Sequence, residues 1–359
     1  PNALWPLLAE AKQAVATLNG IGQTLPNSKL LLTPLQKREA LRSSSLEGTY
    51  ATPEELLIFE MNPRAPKSDK DPANDWLEVS NYGAALRLGC QMLEQLPLSL
   101  RLVREIHKQL LMGVRGRDKA PGEFRTRQVQ IGSDARFIPP PAQHVMPTLD
   151  SFEKYMNQSN DYDPLVRAYI THYQFEAIHP FLDGNGRVGR LLLALATYKW
   201  CGHAMPWLYM SAFFDKYKDE YIEKLFGVST KGDWDSWIEF CLRGTIEQAN
   251  DSIRRCMQLR EVKADYHYRL STGSVRLMAI IDDLFNSPFV EVAELARRRK
   301  VSYPTAKSDI ERLVKAGILC ELPDLPVRTY YSPRIFRIAY SDELNRDSDA
   351  NASEPAAVQ

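Results

Sequence analysis

The stretch that decides the reading is His179-Pro180-Phe181-Leu182-Asp183-Gly184-Asn185-Gly186-Arg187-Val188-Gly189-Arg190, which lies between two helical patterns, Pro164 to Ile178 and about Arg187 to Trp200. It therefore reads as helix, loop, helix. Gly184, Asn185 and Gly186 free the backbone for unusual dihedrals, so successive N–H groups can turn inward as an anion nest. The helix that starts there adds uncompensated N–H groups and a dipole that favours phosphate. Arg187 and Arg190, three residues apart, share a helix face and can grip one polyphosphate. Asp183 supplies the hard oxygen that Mg²⁺ takes when it bridges phosphate oxygens, and His179 is a base that titrates near neutrality. A Gly-Asn-Gly turn by itself is usually a plain helix connection. The base, carboxylate, nest and two arginines together read as a polyphosphate site.

Working outward, most of the chain is expected to be helical. Leu35 to Glu47 has helical spacing with Gly48 as its stop, and Thr52-Pro53-Glu54-Glu55 offers an N-cap, a first-turn proline and acidic residues. Asn62 to Asn74 reads as loop, and helical patterns run from about Trp76 to Gly113, from Met146 to Asn157 and on to about Tyr268. Between Gly122 and Pro141 the alternation Thr126–Ile131, the turn Gly132-Ser133-Asp134 and Arg136-Phe137-Ile138 form a β-hairpin signature. After the polar break Leu270–Gly273 come helices at Leu277–Phe285, Val292–Arg299 and Pro304–Ala316, then strands at Cys320–Leu322 and Thr329–Tyr331. That order is the pattern of a winged helix-turn-helix. Ser341 to Gln359 is acidic without apolar periodicity and reads as disordered. The expected domains are residues 1–113 (N-terminal helices), 114–270 (catalytic core), 274–338 (winged helix) and 339–359 (tail).

Composition bounds the function. The 359 residues hold 45 Lys+Arg against 45 Asp+Glu, a net charge of zero that excludes a bulk polyanion binder. Five well-separated cysteines with no CxxC write neither a disulfide framework nor a zinc knuckle, and point to a reducing cytoplasm. No signal peptide or membrane span is evident. The absence of GxxxxGK[ST] excludes a P-loop enzyme. His172 and His179 cannot form the HExxH pair of a zinc protease, and His107, His144, His203 and His267 read as structural or exposed.

His179 to Arg190 matches the signature of Fic-domain proteins, HPFx[D/E]GNGRxxR, at every fixed position. The resemblance extends through Gly122-Glu123-Phe124-Arg125 and the hairpin, and downstream through Tyr209-Met210-Ser211 to Trp237. Ser43-Ser44-Ser45-Leu46-Glu47-Gly48 resembles the family's [S/T]xxxE[G/N] inhibitory motif, as in the class with an N-terminal inhibitory helix, placed at about residues 35–48. The resemblance implies a mainly α fold, a Fic helical core with a β-hairpin flap. It also implies transfer of AMP from ATP to a Ser, Thr or Tyr hydroxyl of a target protein. His179 would take the hydroxyl proton, and Mg²⁺ on Asp183 would neutralise the phosphates. Gly184, Asn185, Gly186, Arg187, Gly189 and Arg190 would hold the phosphates, with Arg190 on the γ-phosphate. The flap residues Gln130, Ile131 and Gly132 would align the target segment as an added strand, the alternative being a mere cover for the core. Glu47, with Ser43 on the same helix face, would pair with Arg190 and misalign ATP; otherwise it is a solvated glutamate near a helix end. Tyr221 stands where it can line the nucleobase pocket, although Ile222 replaces a second tyrosine common in relatives and Lys218 replaces an arginine. The same helix reads equally as core packing.

Two further functions stay open from the sequence. Some Fic proteins run the reverse reaction, removing AMP with the inhibitory glutamate activating a water. The C-terminal winged helix, with Arg297-Arg298-Arg299-Lys300 ahead of Lys307 and Arg312, could bind DNA over residues 297–312 or dock protein, Asp309 and Glu311 opposing a basic face. A homodimer would fit the family.

Overall fold

In the computed structural model of the chain, residues 2–24, 28–114, 119–132, 136–159, 161–270, 274–323, 325 and 327–352 are described. The helices are α1 (Trp5–Thr24), α2 (Ser28–Leu46), α3 (Pro53–Met61), α4 (Ala73–Met92), α5 (Leu100–Leu110), α6 (Ala142–Asn157), α7 (Pro164–Ile178) and α8 (Asn185–Trp200). They continue as α9 (Ser211–Lys216), α10 (Lys218–Lys231), α11 (Trp234–Arg269), α12 (Val275–Leu284), α13 (Val292–Arg299), α14 (Tyr303–Lys315) and α15 (Pro333–Ala352). Three short strands, β1 (Phe289–Glu291), β2 (Cys320–Leu322) and β3 (Thr329–Tyr331), form one antiparallel sheet in the order β1-β3-β2. The protein is mostly helical, as the residue pattern led us to expect.

The chain divides into two compact units that do not follow the linear domains read from the sequence. One holds residues 1–24, 39–51 and 63–252; the other holds 25–38, 52–62 and 253–359. The second gathers distant segments through specific pairs: Lys37 with Glu60, Arg38 with Asp342, and Asn62 Nδ2 to Glu291 Oε1 at 2.8 Å. Linear reading has no access to such pairings.

In the first unit, α7 starts cleanly because Asp163 accepts the Leu165 N–H at 2.9 Å and Pro164 occupies the first turn. Its apolar residues Tyr169 and Phe175 are fully buried. Helix α8 is apolar nearly all round, with Val188, Leu191, Leu192, Leu195 and Ala196 at 0% exposure, the signature of a helix through a core. Leu102, Val103 and Ile106 of α5 and Leu86 of α4 complete that core. A fully buried aromatic group, Phe214, Trp237 and Phe240, lies behind α7 and surrounds His172 and Tyr221.

In the second unit, Ser302 caps α14 with its hydroxyl on the Thr305 N–H, and Lys300 ends α13 in the left-handed conformation at φ 54°. The sheet packs Phe289 on Tyr331 and Phe336, over a core that includes Ile280, Ile281 and Ile310.

Several local expectations change. Helix α2 begins at Ser28 and runs through Pro34, ahead of the expected start at Leu35. The hairpin reduces to one antiparallel bridge, Ile131 with Phe137; the expected turn residues Ser133 and Asp134 lie outside the described residues. Strand β1 has only three residues, too few for an alternation to show. The acidic tail does not lose structure at Ser341: α15 continues to Ala352 past a kink at Tyr340. Asp342 anchors it, accepting from Arg255 at 2.6 Å and Arg38 at 2.7 Å. Residues 353–359 of the tail and residues 271–273 of the expected polar break lie outside the described residues. No helix among the described residues is long and apolar enough to cross a membrane.

Candidate active site

His179 closes α7 in the left-handed region, φ 49° and ψ 61°, a strained conformation for a residue with a Cβ. Neighbours hold it there. The His179 N–H donates to Phe175 O at 3.0 Å, Arg125 Nε donates to His179 O at 2.8 Å, and the Arg125 N–H donates to Pro180 O at 2.8 Å. Arg125 Nη2 also reaches Pro140 O at 2.6 Å, so one buried guanidinium ties the histidine backbone to the end of the flap segment. Burial pulls the His179 imidazole down to about 4, against the opposing influence of the Glu176 carbonyl and the Glu47 charge. It is neutral at physiological pH, the form able to accept a proton. Its Nδ1 is buried, leaving Nε2 as the nitrogen for exchange.

The loop that follows is braced twice. Asn185 clasps Phe181 with both ends of its amide, Oδ1 accepting the N–H at 2.8 Å and Nδ2 donating to the carbonyl at 2.9 Å. Its side chain thus shapes the loop, and only its backbone is left to face an anion. His107, read from sequence as merely structural or exposed, stacks on Phe181 at 3.7 Å. Its Nδ1 accepts the Gly122 N–H at 2.8 Å, so Nε2 carries the proton and donates to Asp183 O at 3.1 Å. Gly184 caps α8 at φ 75°, a conformation that favours glycine, and donates to Asp183 Oδ1 at 2.7 Å.

Both arginines meet carboxylates. Arg190 donates from Nη2 to Glu47 Oε1 at 2.7 Å and to Ser43 O at 2.8 Å, and from Nε to Ser43 Oγ at 2.8 Å. Burial would raise the Glu47 carboxyl; the Arg190 charge and hydrogen bond, with Arg187 and His179, outweigh it and hold it below its usual range. A Cβ on Gly186 would lie 2.0 Å from Glu47 Oε1, so this glycine is what lets the glutamate reach the arginine. Arg187 Nη1 donates to Glu78 Oε2 of α4 at 2.9 Å, a partner that no local pattern announces. Glu78 also accepts from Thr49 Oγ1 at 2.9 Å.

A cavity of about 280 Å³ brings Glu47, His179, Gly186, Arg190, Lys218 and Tyr221 together with Ile131 and Gly132 of the flap segment. Gln130, Asp183, Asn185, Arg187 and Gly189 are not part of its wall. Gly189 instead packs on Glu176, whose Oε1 would stand 2.1 Å from an added Cβ. Glu176 does line the cavity. Its Oε1 is buried without a hydrogen-bond partner, and burial pushes its carboxyl up to about 7. Tyr221 lines the cavity, and its hydroxyl donates to His172 Nε2 at 2.8 Å within the aromatic core. Lys218 Nζ donates to Leu46 O at 2.9 Å, the carbonyl directly before Glu47.

Among the described residues no group of three or more His, Cys, Asp or Glu could hold a metal. Asp183, with its side chain 44% exposed, fits a Mg²⁺ that draws its other ligands from phosphate and water. In the second unit, Arg298 and Arg299 pair with Asp283, Lys307 with Glu311, and Arg276 with Asp309. The basic cluster expected to meet DNA is thus interleaved with acids.

Comparison with known proteins agrees with this geometry. Residues 5–91 match the Fic/DOC family N-terminal region and residues 97–197 match the Fic/DOC family, between them more than half of the chain. The chain belongs to the Fic/DOC family. Among curated proteins it is 38% identical over 123 residues to protein adenylyltransferase fic-1 of Caenorhabditis elegans, covering 33% of this chain and 23% of that one. It is 34% identical over 119 residues to protein adenylyltransferase Fic of Drosophila grimshawi, covering 32% and 24%. The match thus spans about a quarter of the length of these relatives. A Fic family protein from Desulfovibrio desulfuricans shares the fold, with TM-score 0.57 and 21% identity over 92% of this chain and 96% of that one. Fic-1 from C. elegans superposes with TM-score 0.56 at 25% identity, over 72% of this chain and 75% of that fragment.

Proposed function

We propose that this chain transfers AMP from ATP to a hydroxyl of a protein target, itself included, and that Glu47 restrains the reaction. The observation that carries the reading is one cavity at the N-terminus of α8 holding a neutral His179 and an Arg190 already occupied by Glu47. The target hydroxyl oxygen would bond to the α-phosphorus as His179 Nε2 takes its proton, and the bond to pyrophosphate would break. Backbone N–H groups at the start of α8, with Arg187 and Arg190, would stabilise the phosphate charge. A Mg²⁺ on Asp183 would neutralise charge on the leaving pyrophosphate. While Glu47 holds Arg190, that guanidinium is withheld from the γ-phosphate. In the second unit, the order α12-β1-α13-α14-β2-β3 supports the winged helix reading. The acids beside its cations favour protein docking over phosphate contacts.

Auto-labelling with radiolabelled ATP tests the main reading. Glu47→Gly should label at least about tenfold faster than the unsubstituted chain, a difference of roughly 1.4 kcal/mol in barrier. His179→Ala in that background should not label. Equal rates with and without Glu47 would overturn the restraint, and labelling without His179 would overturn its role as base. Release of AMP from a modified target by the unsubstituted chain would turn Glu47 into a hydrolytic residue.

A further inference from the structure

Among the described residues, the flap segment has one backbone bridge, the Ile131 N–H on Phe137 O at 3.0 Å, and side chains add to it. Gln128 Nε2 donates to Pro139 O at 3.0 Å at its base. At the cavity, Arg136 reaches across to α10 with both ends of its guanidinium, Nη1 to Glu223 Oε1 at 2.5 Å and Nη2 to Oε2 at 2.9 Å. The same guanidinium lies 4.2 Å from the centre of the Phe226 ring. Glu223 and Phe226, three residues apart on α10, present carboxylate and ring from one helix face. Ile131, Gly132 and Phe137 on one element and Ile222 and Phe226 on the other all line the cavity. The Arg136 contact thus joins two of its walls.

We propose that Arg136 is a positioning residue whose hold on Glu223 and Phe226 keeps the flap against α10 and closes the nucleotide cavity over its occupant. The proposal rests on the reading that this cavity takes ATP. Its physical logic lies in the strength of the contact. The Arg136 and Glu223 side chains are 45% and 59% exposed, so their attraction is modest and screened by salt. The two-pronged geometry and the stacked ring add to it without making it permanent. A closure of that strength shifts an opening equilibrium severalfold, which suits a wall that must admit ATP and release pyrophosphate. Lysine would keep the charge but lose the fork and the flat contact with the ring.

Calorimetric titration of Mg-ATP into the full chain tests this, with every variant built in the Glu47→Gly background and checked for an unchanged melting transition. Arg136→Gln should weaken ATP binding about three- to tenfold, with Arg136→Lys in between. The auto-labelling rate at saturating ATP should fall much less than the affinity. Combining Arg136→Glu with Glu223→Arg should recover part of what either change loses. Raising NaCl from about 50 to about 500 mM should weaken binding to the Glu47→Gly parent more than to Arg136→Gln. Unchanged affinity in Arg136→Gln, or a double swap no better than the single changes, would overturn the clamp alone. Failure of the parent itself to bind ATP would overturn the ATP reading and the clamp with it.

Discussion

His179 shows how far one residue depends on its surroundings. Its loop position and its base chemistry are legible in the motif, but its protonation state is not. Burial brings it to about 4 where an unfolded histidine titrates near 6.5. Glu47 opposes that shift, so removing Glu47 moves the imidazole further in the same direction. In Glu47→Gly protein, labelling should therefore stay free of a histidine limb from pH 8 down to about pH 5. A pH–rate profile falling off near 6.5 would contradict this. Glu176, pushed up to about 7 in the same cavity, does titrate near neutrality. A limb that vanishes in Glu176→Gln belongs to it and not to His179. Nothing in the motif marks Glu176 or Arg125 as part of the site: their importance comes from a buried position and, for Arg125, from four carbonyls it happens to meet.

At the scale of the element, α2 is the most instructive. In the polar stretch Arg38-Glu39-Ala40-Leu41-Arg42-Ser43-Ser44, Glu39, Arg42, Ser43 and Ser44 are all buried. Glu39 accepts from Tyr82 OH at 2.9 Å and from the Ser211 N–H at 3.0 Å, and Arg42 pairs with Asp215 at 3.0 Å. The helix that leads to Glu47 is thus anchored by polar contacts, with Lys218 holding its last carbonyl. Such contacts tolerate the loss of one partner poorly. Arg42→Ala should lower the unfolding free energy by on the order of 3 kcal/mol and raise basal labelling at the same time. Lys218→Met should raise basal labelling severalfold with little effect on the melt, and neither change should add to the labelling of Glu47→Gly. Additive effects in that background would separate these residues from the restraint. The flap gives the opposite lesson. Its alternating sequence announces a hairpin; among the described residues the structure has one bridge, with Gln128 on Pro139 O and Arg136 on Glu223 as side-chain contacts beside it.

For the whole molecule, burial of neutral histidines sets the response to acid. His107, His179 and His203 are each lowered to about 4 and His172 to about 3, all chiefly by burial. Above pH 6.5 both folded and unfolded forms are neutral at these groups, so they contribute nothing. Below it the unfolded chain binds protons that the folded chain refuses, and stability falls with pH until about 4. Glu176 works the other way, since its folded carboxyl binds a proton from about pH 7 downward, and burial raises the Glu39 carboxyl in the same sense. The four histidines outweigh these carboxyls, and the melting temperature should drop by several degrees between pH 7 and pH 5.5. A melt that rises over that interval would show these histidines to be solvated.

The His179–Arg190 motif, the caps and the apolar periods decided by themselves that the chain is mostly helical, where the Gly184-Asn185-Gly186 loop lies and which family the chain belongs to. These are local properties, written in spacing along the chain. The resemblance already implied that Glu47 pairs with Arg190; only the tertiary structure decided that Glu78 meets Arg187, that Gly186 leaves the room for Glu47, and that Arg136 meets Glu223 of α10. It also decided that segments 25–38 and 52–62 group with the C-terminal unit. Each of these joins residues far apart in sequence, and each depends on the geometry that packing creates, which spacing along a chain does not contain.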